Sequence, residues 1–196
     1  NYAPGFFGKD GKAPEWPLLE AIRGQLEIDG ARLSVRADSA ATHGVALTKV
    51  SAEIPNLVKP GATLEVGGNA AGRLQDFLDY TTSSPVAGWI EDFTEGTRGS
   101  GNARLALKLH LPLTDPEQAK VQGTLQFMGN EVALMPELPP LSQASGELKF
   151  HEKGFSLPGI RATFLGGPVS VSGGTQGDGA IAVRAEGALT AEGLGR

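Results

Sequence analysis

The stretch NARLALKLHLPL, residues 102–113, places leucine at every second position: Leu105, Leu107, Leu109, Leu111 and Leu113. A period of two is the signature of a β-strand with one apolar face. The intervening residues, Arg104, Ala106, Lys108, His110 and Pro112, are half polar and suit contact with water. At about 3.4 Å per residue, the leucine stripe spans roughly 27 Å. Leaving it in water would forgo about 1.5–3 kcal/mol per leucine, so something apolar covers it. An ordinary packed core is the first reading. A wall kept for a hydrocarbon ligand is the second, and these residues by themselves leave both open.

The same alternation extends through most of the chain. In AIRGQLEIDG, Ile22, Leu26 and Ile28 take one face and Arg23, Gln25 and Glu27 the other. VALTKVSAEI and ATLEVGG follow in the same style, punctuated by Gly, Pro and Asn. One region breaks the pattern. Leu74, Phe77 and Leu78, then Val86, Trp89, Ile90 and Phe93, are spaced three and four apart, with SSP between them. That spacing predicts two short amphipathic helices, roughly Leu74 to Tyr80 and Val86 to Phe93.

An internal repeat organises the strands. GQLEIDGARLSV from Gly24, GTLQFMGNEVAL from Gly123 and GELKFHEKGFSL from Gly146 share one form. Each reads Gly, polar, Leu, polar, then Ile or Phe, a short turn and a second apolar pair. Leu26-Ile28, Leu125-Phe127 and Leu148-Phe150 mark the first strands; Leu33-Val35, Val132-Leu134 and Phe155-Leu157 mark the second. A hairpin with one greasy face cannot bury that face alone. Side-by-side stacking gives a long antiparallel sheet whose apolar surface must close, be covered or hold a ligand. The two helices are candidates for a partial cover, too short to roof about ten strands.

Composition bounds the function. Of 196 residues, 40% are hydrophobic and 20% charged, which describes a folded chain. The net charge of -5 opposes a nucleic-acid surface, which needs clustered Lys and Arg. With no cysteine, disulfides, thiolate catalysis and Cys-based zinc sites are all excluded. No run of about 18 apolar residues is present to cross a bilayer as a helix. The N-terminal segment has neither an initiator Met nor a signal-peptide pattern, and reads as part of a fragment or processed product.

Enzyme signatures are poor. GGNAAGR has glycines at P-loop spacing, but Arg73-Leu74 stands where Lys and then Ser or Thr would bind phosphate and magnesium. A strand-to-helix turn explains it better. No G-x-S-x-G elbow occurs. His43, His110 and His151 are far apart with no H-x-x-x-H pair, and His110, opposite the leucine stripe, and His151, beside a turn, read as polar-face residues rather than metal ligands. Glu91 and Asp92 are adjacent on a helical pattern, so their carboxylates diverge. No catalytic residue, metal site or cofactor is expected.

The order of these segments carries a resemblance. LALKLHLPL, VQGTLQFMGNEVAL and LPPLSQASGELKFHEKGFSLPGIRATFLGGPVSVSGG are similar to the periplasmic region of the AsmA-like proteins of Gram-negative bacteria, most closely the YhdP branch. IRGQLEIDGARLSV, LTKVSAEIPNL and LQDFLDYTTSSPVAGWIEDF upstream fit the same order, so the resemblance extends from about Pro17. It implies a bridge-like lipid carrier anchored in the inner membrane, whose periplasmic body of repeated hairpins forms a gutter for phospholipid acyl chains. No catalytic or metal-binding residue comes with it.

The expectation is therefore a mainly β fold: an elongated, curved antiparallel sheet of repeated hairpins, open or partly closed, with two short helices. Residues 1–16 form a connector. Residues 17–196 form one β-groove domain, with hairpins over 17–71, a helical insertion over 72–97 and further hairpins over 98–196. Leu105, Leu107, Leu109, Leu111, Leu113, Leu26, Ile28, Leu125, Phe127, Leu148 and Phe150 would line a lipid groove. Expected partners are phospholipid acyl chains, neighbouring segments of the same parent chain and other envelope proteins. The competing reading is a non-catalytic structural or protein-docking module of the envelope.

Overall fold

A computed structural model describes residues 18–83, 94, 96–115, 118–136 and 138–188. Its strands are β1 (Glu20–Asp29), β2 (Arg32–Thr42), β3 (Val45–Ile54), β4 (Thr63–Arg73), β5 (Arg98–Ser100), β6 (Asn102–Pro112), β7 (Lys120–Ala133), β8 (Leu141–His151), β9 (Gly154–Phe164), β10 (Gly167–Thr175) and β11 (Ile181–Gly187). Among the described residues one helix, α1 (Leu74–Ser83), lies between β4 and β5. All eleven strands belong to one antiparallel sheet in the order β1-β2-β3-β4-β6-β7-β8-β9-β10-β11, with β5 beside β7. The sheet is open, not a barrel: β1 and β11 lie at opposite edges. The mainly β, antiparallel expectation is met.

Two details differ from the expected layout. Of the two helices, α1 forms and runs three residues past Tyr80, whereas Val86 to Phe93 falls outside the described residues. The second repeat is not a hairpin. Gly123 to Ala133 lies within one continuous strand, β7, although Gly24 and Gly146 do open hairpins. The MGN triplet resembles a turn, but Gly129 (φ +82°) and Asn130 form a bulge instead. The strand continues because both halves find partners: β6 pairs its first part and β5 its last three residues.

Asn130 is the reason the bulge holds. Its side chain is fully buried, accepts the Met128 N–H at 2.7 Å, and donates to the carbonyls of Ser100 (2.8 Å) and Asn102 (3.1 Å). It thereby bridges the break between β5 and β6 at Gly101. The Gly101 carbonyl in turn accepts the N–H of Leu74, the first residue of α1.

Helix α1 forms where the apolar spacing changes from two to three and four. Asp76 in its first turn suits the helix dipole and receives both Nε (3.0 Å) and Nη2 (2.6 Å) of Arg73. At the other end, the hydroxyls of Thr81, Thr82 and Ser83 turn back onto the carbonyls of Leu78 and Asp79, which weakens further propagation. Leu74 and Phe77 are buried against Val45, Ala70, Ala103, Val132, Ala144, Ile160, Ala162 and Val171. In an antiparallel sheet most of these positions, at the start of β3, β6 and β8 and toward the end of β4, β7 and β9, share one end of the strands. The core therefore sits under α1, at that end.

Candidate apolar groove

Strand register decides which side chains share a face. Leu105 lies opposite Ala70 of β4 and Leu125 of β7, and Leu125 opposite Leu148 of β8. Leu107 faces Gly68 and Gly123; Gly123 faces Phe150, which faces Phe155. Leu109 lies between Val66 and Val121, and that row continues through Ala52 and Val35 to Leu26 at the sheet edge. Leu111 faces Leu64, Phe127 faces Ala103, and Ile28 faces Leu33 and through it Ile54. Every groove residue expected from sequence except Leu113 therefore projects from one face of one sheet. Leu113 lies past the end of β6, in the turn, where its N–H donates to the Ala62 carbonyl.

None of the residues in these rows carries a charge. The other face of β6 is polar: Lys108 pairs Gln122, and His110 pairs Glu65 and Lys120, with His110 Nδ1 3.8 Å from Glu65 Oε1. His151 is likewise outside the face, accepting the Lys153 N–H at 3.1 Å beside the β8–β9 turn. The GGNAAGR segment forms the last part of β4 and runs directly into α1. Among the described residues, no three His, Asp or Glu come together to hold a metal ion.

Contact with the core under α1, rather than burial alone, divides the face into two zones. At the helix end, Leu74 and Phe77 seal it, and Leu105, Leu125 and Phe127 pack against that sealed core. The seal depends on close approach at Gly99 of β5. A Cβ there would lie 2.5 Å from Leu74 Cδ2, and the Gly99 N–H donates to Gln75 Oε1 at 2.9 Å. Burial also pushes the Tyr80 phenol above its ordinary pKa.

Beyond the helix, Leu107, Leu109, Leu148 and Phe150 are only half-buried, and no second layer of sheet or helix among the described residues lies over them. The Phe150 ring lies across Gly123, where any Cβ would collide with it. Leu111 is buried at 3%, while Leu26 and Ile28 at the edge are each 64% exposed. Leu64, Val66, Val121 and Phe155 belong to the same surface, though the repeat did not single out the first three. Their alternation was visible; their alignment with the leucine stripe needed the register.

The arrangement is a single sheet with one polar face and one uncharged aliphatic and aromatic face, closed at one end by a helix. Such a surface binds hydrocarbon through dispersion and exclusion of water, without directional bonds. Among the described residues no helix is long and apolar enough to cross a membrane. No curated protein and no solved structure matches the chain. The family model described as YhdP protein matches residues 13–196, nearly the whole length, and the chain therefore belongs to the YhdP family.

Proposed function

We propose that this chain is one section of a periplasmic lipid bridge, in which the apolar face shields phospholipid acyl chains passing between inner and outer membranes. The observation that carries the reading is the zone of the face over which no other described element lies, lined by Leu107, Leu109, Leu148 and Phe150. Four half-buried apolar side chains on β6 and β8, on either side of β7, leave a surface that water wets poorly and a hydrocarbon chain would cover. Membership of a family of bridge-like lipid transport proteins supports the same reading. Equivalent rows of aliphatic contacts let an acyl chain slide from one strand pair to the next, because no contact is directional. Head groups would remain in water. Leu105, Leu125 and Phe127, packed on the helix-sealed core, support this path rather than line its open part. Further segments of the same repeated kind would extend it at β1 and β11.

The test uses a photoreactive amino acid at Leu107 or Leu109, with Lys108 on the opposite face as control. Crosslinks to phospholipid at 107 and 109 but not at 108, with phospholipid retained in native mass spectra, are the expected result. Protein crosslinks in place of lipid at 107 and 109 would favour a docking module instead. In the parent protein, Leu107→Asp with Leu109→Asp should block lipid passage; normal transport by the folded variant would remove the stripe from the path.

A further inference from the structure

The two ends of the strands differ in what they offer a polar group. At the helix end the apolar face is closed by Leu74 and Phe77. The charged and amide side chains buried there are already committed: Asp76 to Arg73, and Asn130 to Met128, Ser100 and Asn102. A phosphate pressed into that seal would lose its water and gain no partner. The β2–β3, β5–β6, β7–β8 and β9–β10 connections, all at this end, contain neither Lys nor Arg.

The opposite end is made of turns, and apolar side chains overrun the strands there. Leu57 and Val58, in the β3–β4 connection, and Leu113, after β6, are 44%, 80% and 42% exposed. Backbone bonds tie them down, from the Leu57 N–H to the Ala31 carbonyl and from the Leu113 N–H to that of Ala62. The same end carries three exposed lysines: Lys59 in the β3–β4 connection, Lys120 at the start of β7 and Lys153 in the β8–β9 turn. Among the described residues none of the three forms an ion pair, whereas Arg32, at the start of β2, is held by Glu53 at 2.9 Å. Counted in the same way, over connections and strand termini, the helix end has one unpaired cation among the described residues, Arg98. Successive connections at the turn end are two strands, or about 10 Å, apart, a gap that flexible lysine side chains narrow from both sides. Asp29, Asp115, Glu152 and Asp178 lie at this end too, so it offers both signs of charge.

We propose that a phospholipid lies along the strands with its acyl ends toward α1 and its phosphate at the turn end. The phosphate passes among Lys59, Lys120 and Lys153 as the lipid crosses from strand to strand. A head group carrying phosphate and ammonium together, as in phosphatidylethanolamine, fits lysines interspersed with carboxylates. Turned the other way, the same lipid would set its phosphate against Leu74 and Phe77. The inference rests on the lipid reading of the apolar face and adds to it a direction and a track for the head group.

The absence of cysteine allows single reporters. Leu113→Cys reports the turn end. Leu105→Cys, about 27 Å away along the stripe, reports the helix end, with Leu125→Cys on β7 as a second reporter there. Each folded variant is mixed with vesicles carrying one of two phosphatidylethanolamine probes, with a maleimide either on the head-group amine or at the end of an acyl chain. The L113C-to-L105C labelling ratio should be about ten-fold or more higher with the head-group probe, since the reporters stand so far apart. Using the same two cysteines for both probes cancels their intrinsic reactivity. An equal or reversed ratio overturns the orientation. Labelling that excess unlabelled phospholipid fails to compete would instead overturn the lipid reading itself. Lys59→Gln, Lys120→Gln and Lys153→Gln together should weaken retention of phosphatidylethanolamine relative to diacylglycerol about three-fold, the scale of one exposed ion pair. Arginine at the same positions should preserve it. Equal effects of the glutamines on the two lipids would overturn the assignment of the phosphate to these lysines.

Discussion

Replacing Asn130 with alanine tests the argument for how the sheet and its helix are held together. Asn130 has no exposed surface and makes three hydrogen bonds, one from the Met128 N–H and one to each of the Ser100 and Asn102 carbonyls. Asn130→Ala leaves all three backbone groups without that partner at a buried site. At about 1 kcal/mol for each hydrogen bond, the loss is about 3 kcal/mol, with more if no water enters. For a chain of this size a urea dependence of about 2–3 kcal/mol per molar is expected. The unfolding midpoint should then fall by about 1–1.5 M. Because the Gly101 carbonyl that accepts the Leu74 N–H sits in the β5–β6 break that Asn130 bridges, α1 should loosen as well. Asn130→Asp separates the contributions. The N130D carboxylate still accepts from Met128 but faces two carbonyls, so burial and repulsion raise its pKa. A raised folded-state pKa makes the variant more stable below the ordinary carboxylate range, about pH 4, and less stable as pH rises through the shifted value. Urea unfolding followed by circular dichroism at pH 7 and pH 4 measures both effects. If N130A unfolds within 0.5 kcal/mol of wild type, taking that roughly as the limit for an unremarkable site, the brace is not what holds the bulge.

Three further outcomes follow from the packing. Leu74→Ala, at a position 1% exposed, should cost about 2–5 kcal/mol by emptying the helix seat. Gly99→Val should cost about 1–3 kcal/mol by driving Leu74 off β5; in the double variant the losses should fall short of their sum, since the alanine makes room for the valine, and strict additivity in denaturant unfolding would contradict the contact. Lys108→Ala should change stability by less than about 0.5 kcal/mol, whereas Leu109→Asp, one residue away on the other face, should cost about 1–3 kcal/mol and abolish binding of a fluorescent fatty acid. Equal effects from the two would mean that the faces are misassigned.

The alternating stripe, the hairpins opened by Gly24 and Gly146, and the first helix were all legible in the sequence. Each rests on local geometry: a side-chain period of two or of three and four, and turn residues between. That the expected groove residues other than Leu113 share one face was legible for the same reason, because a strand's parity fixes which residues share its face. Gly123 was misread on that same local logic. Gly129-Asn130 has the chemistry of a turn, and nothing nearby in sequence reveals that Asn130 reaches Ser100 and Asn102, about thirty residues away.

What the sequence by itself determined is that this protein is a sheet with one apolar face, since period-two alternation is a property of the chain alone. Which part of that face packs on the core under the helix, among the described residues, was decided by tertiary structure. Leu105 and Leu109 belong to one strand and one stripe, and no local feature distinguishes them. The difference is that α1 folds back over one end of the strands, seated on Gly99, and leaves Leu107 and Leu109 beyond its reach. Burial of a strand residue depends on what lies over it, and that is set by contacts remote in the chain.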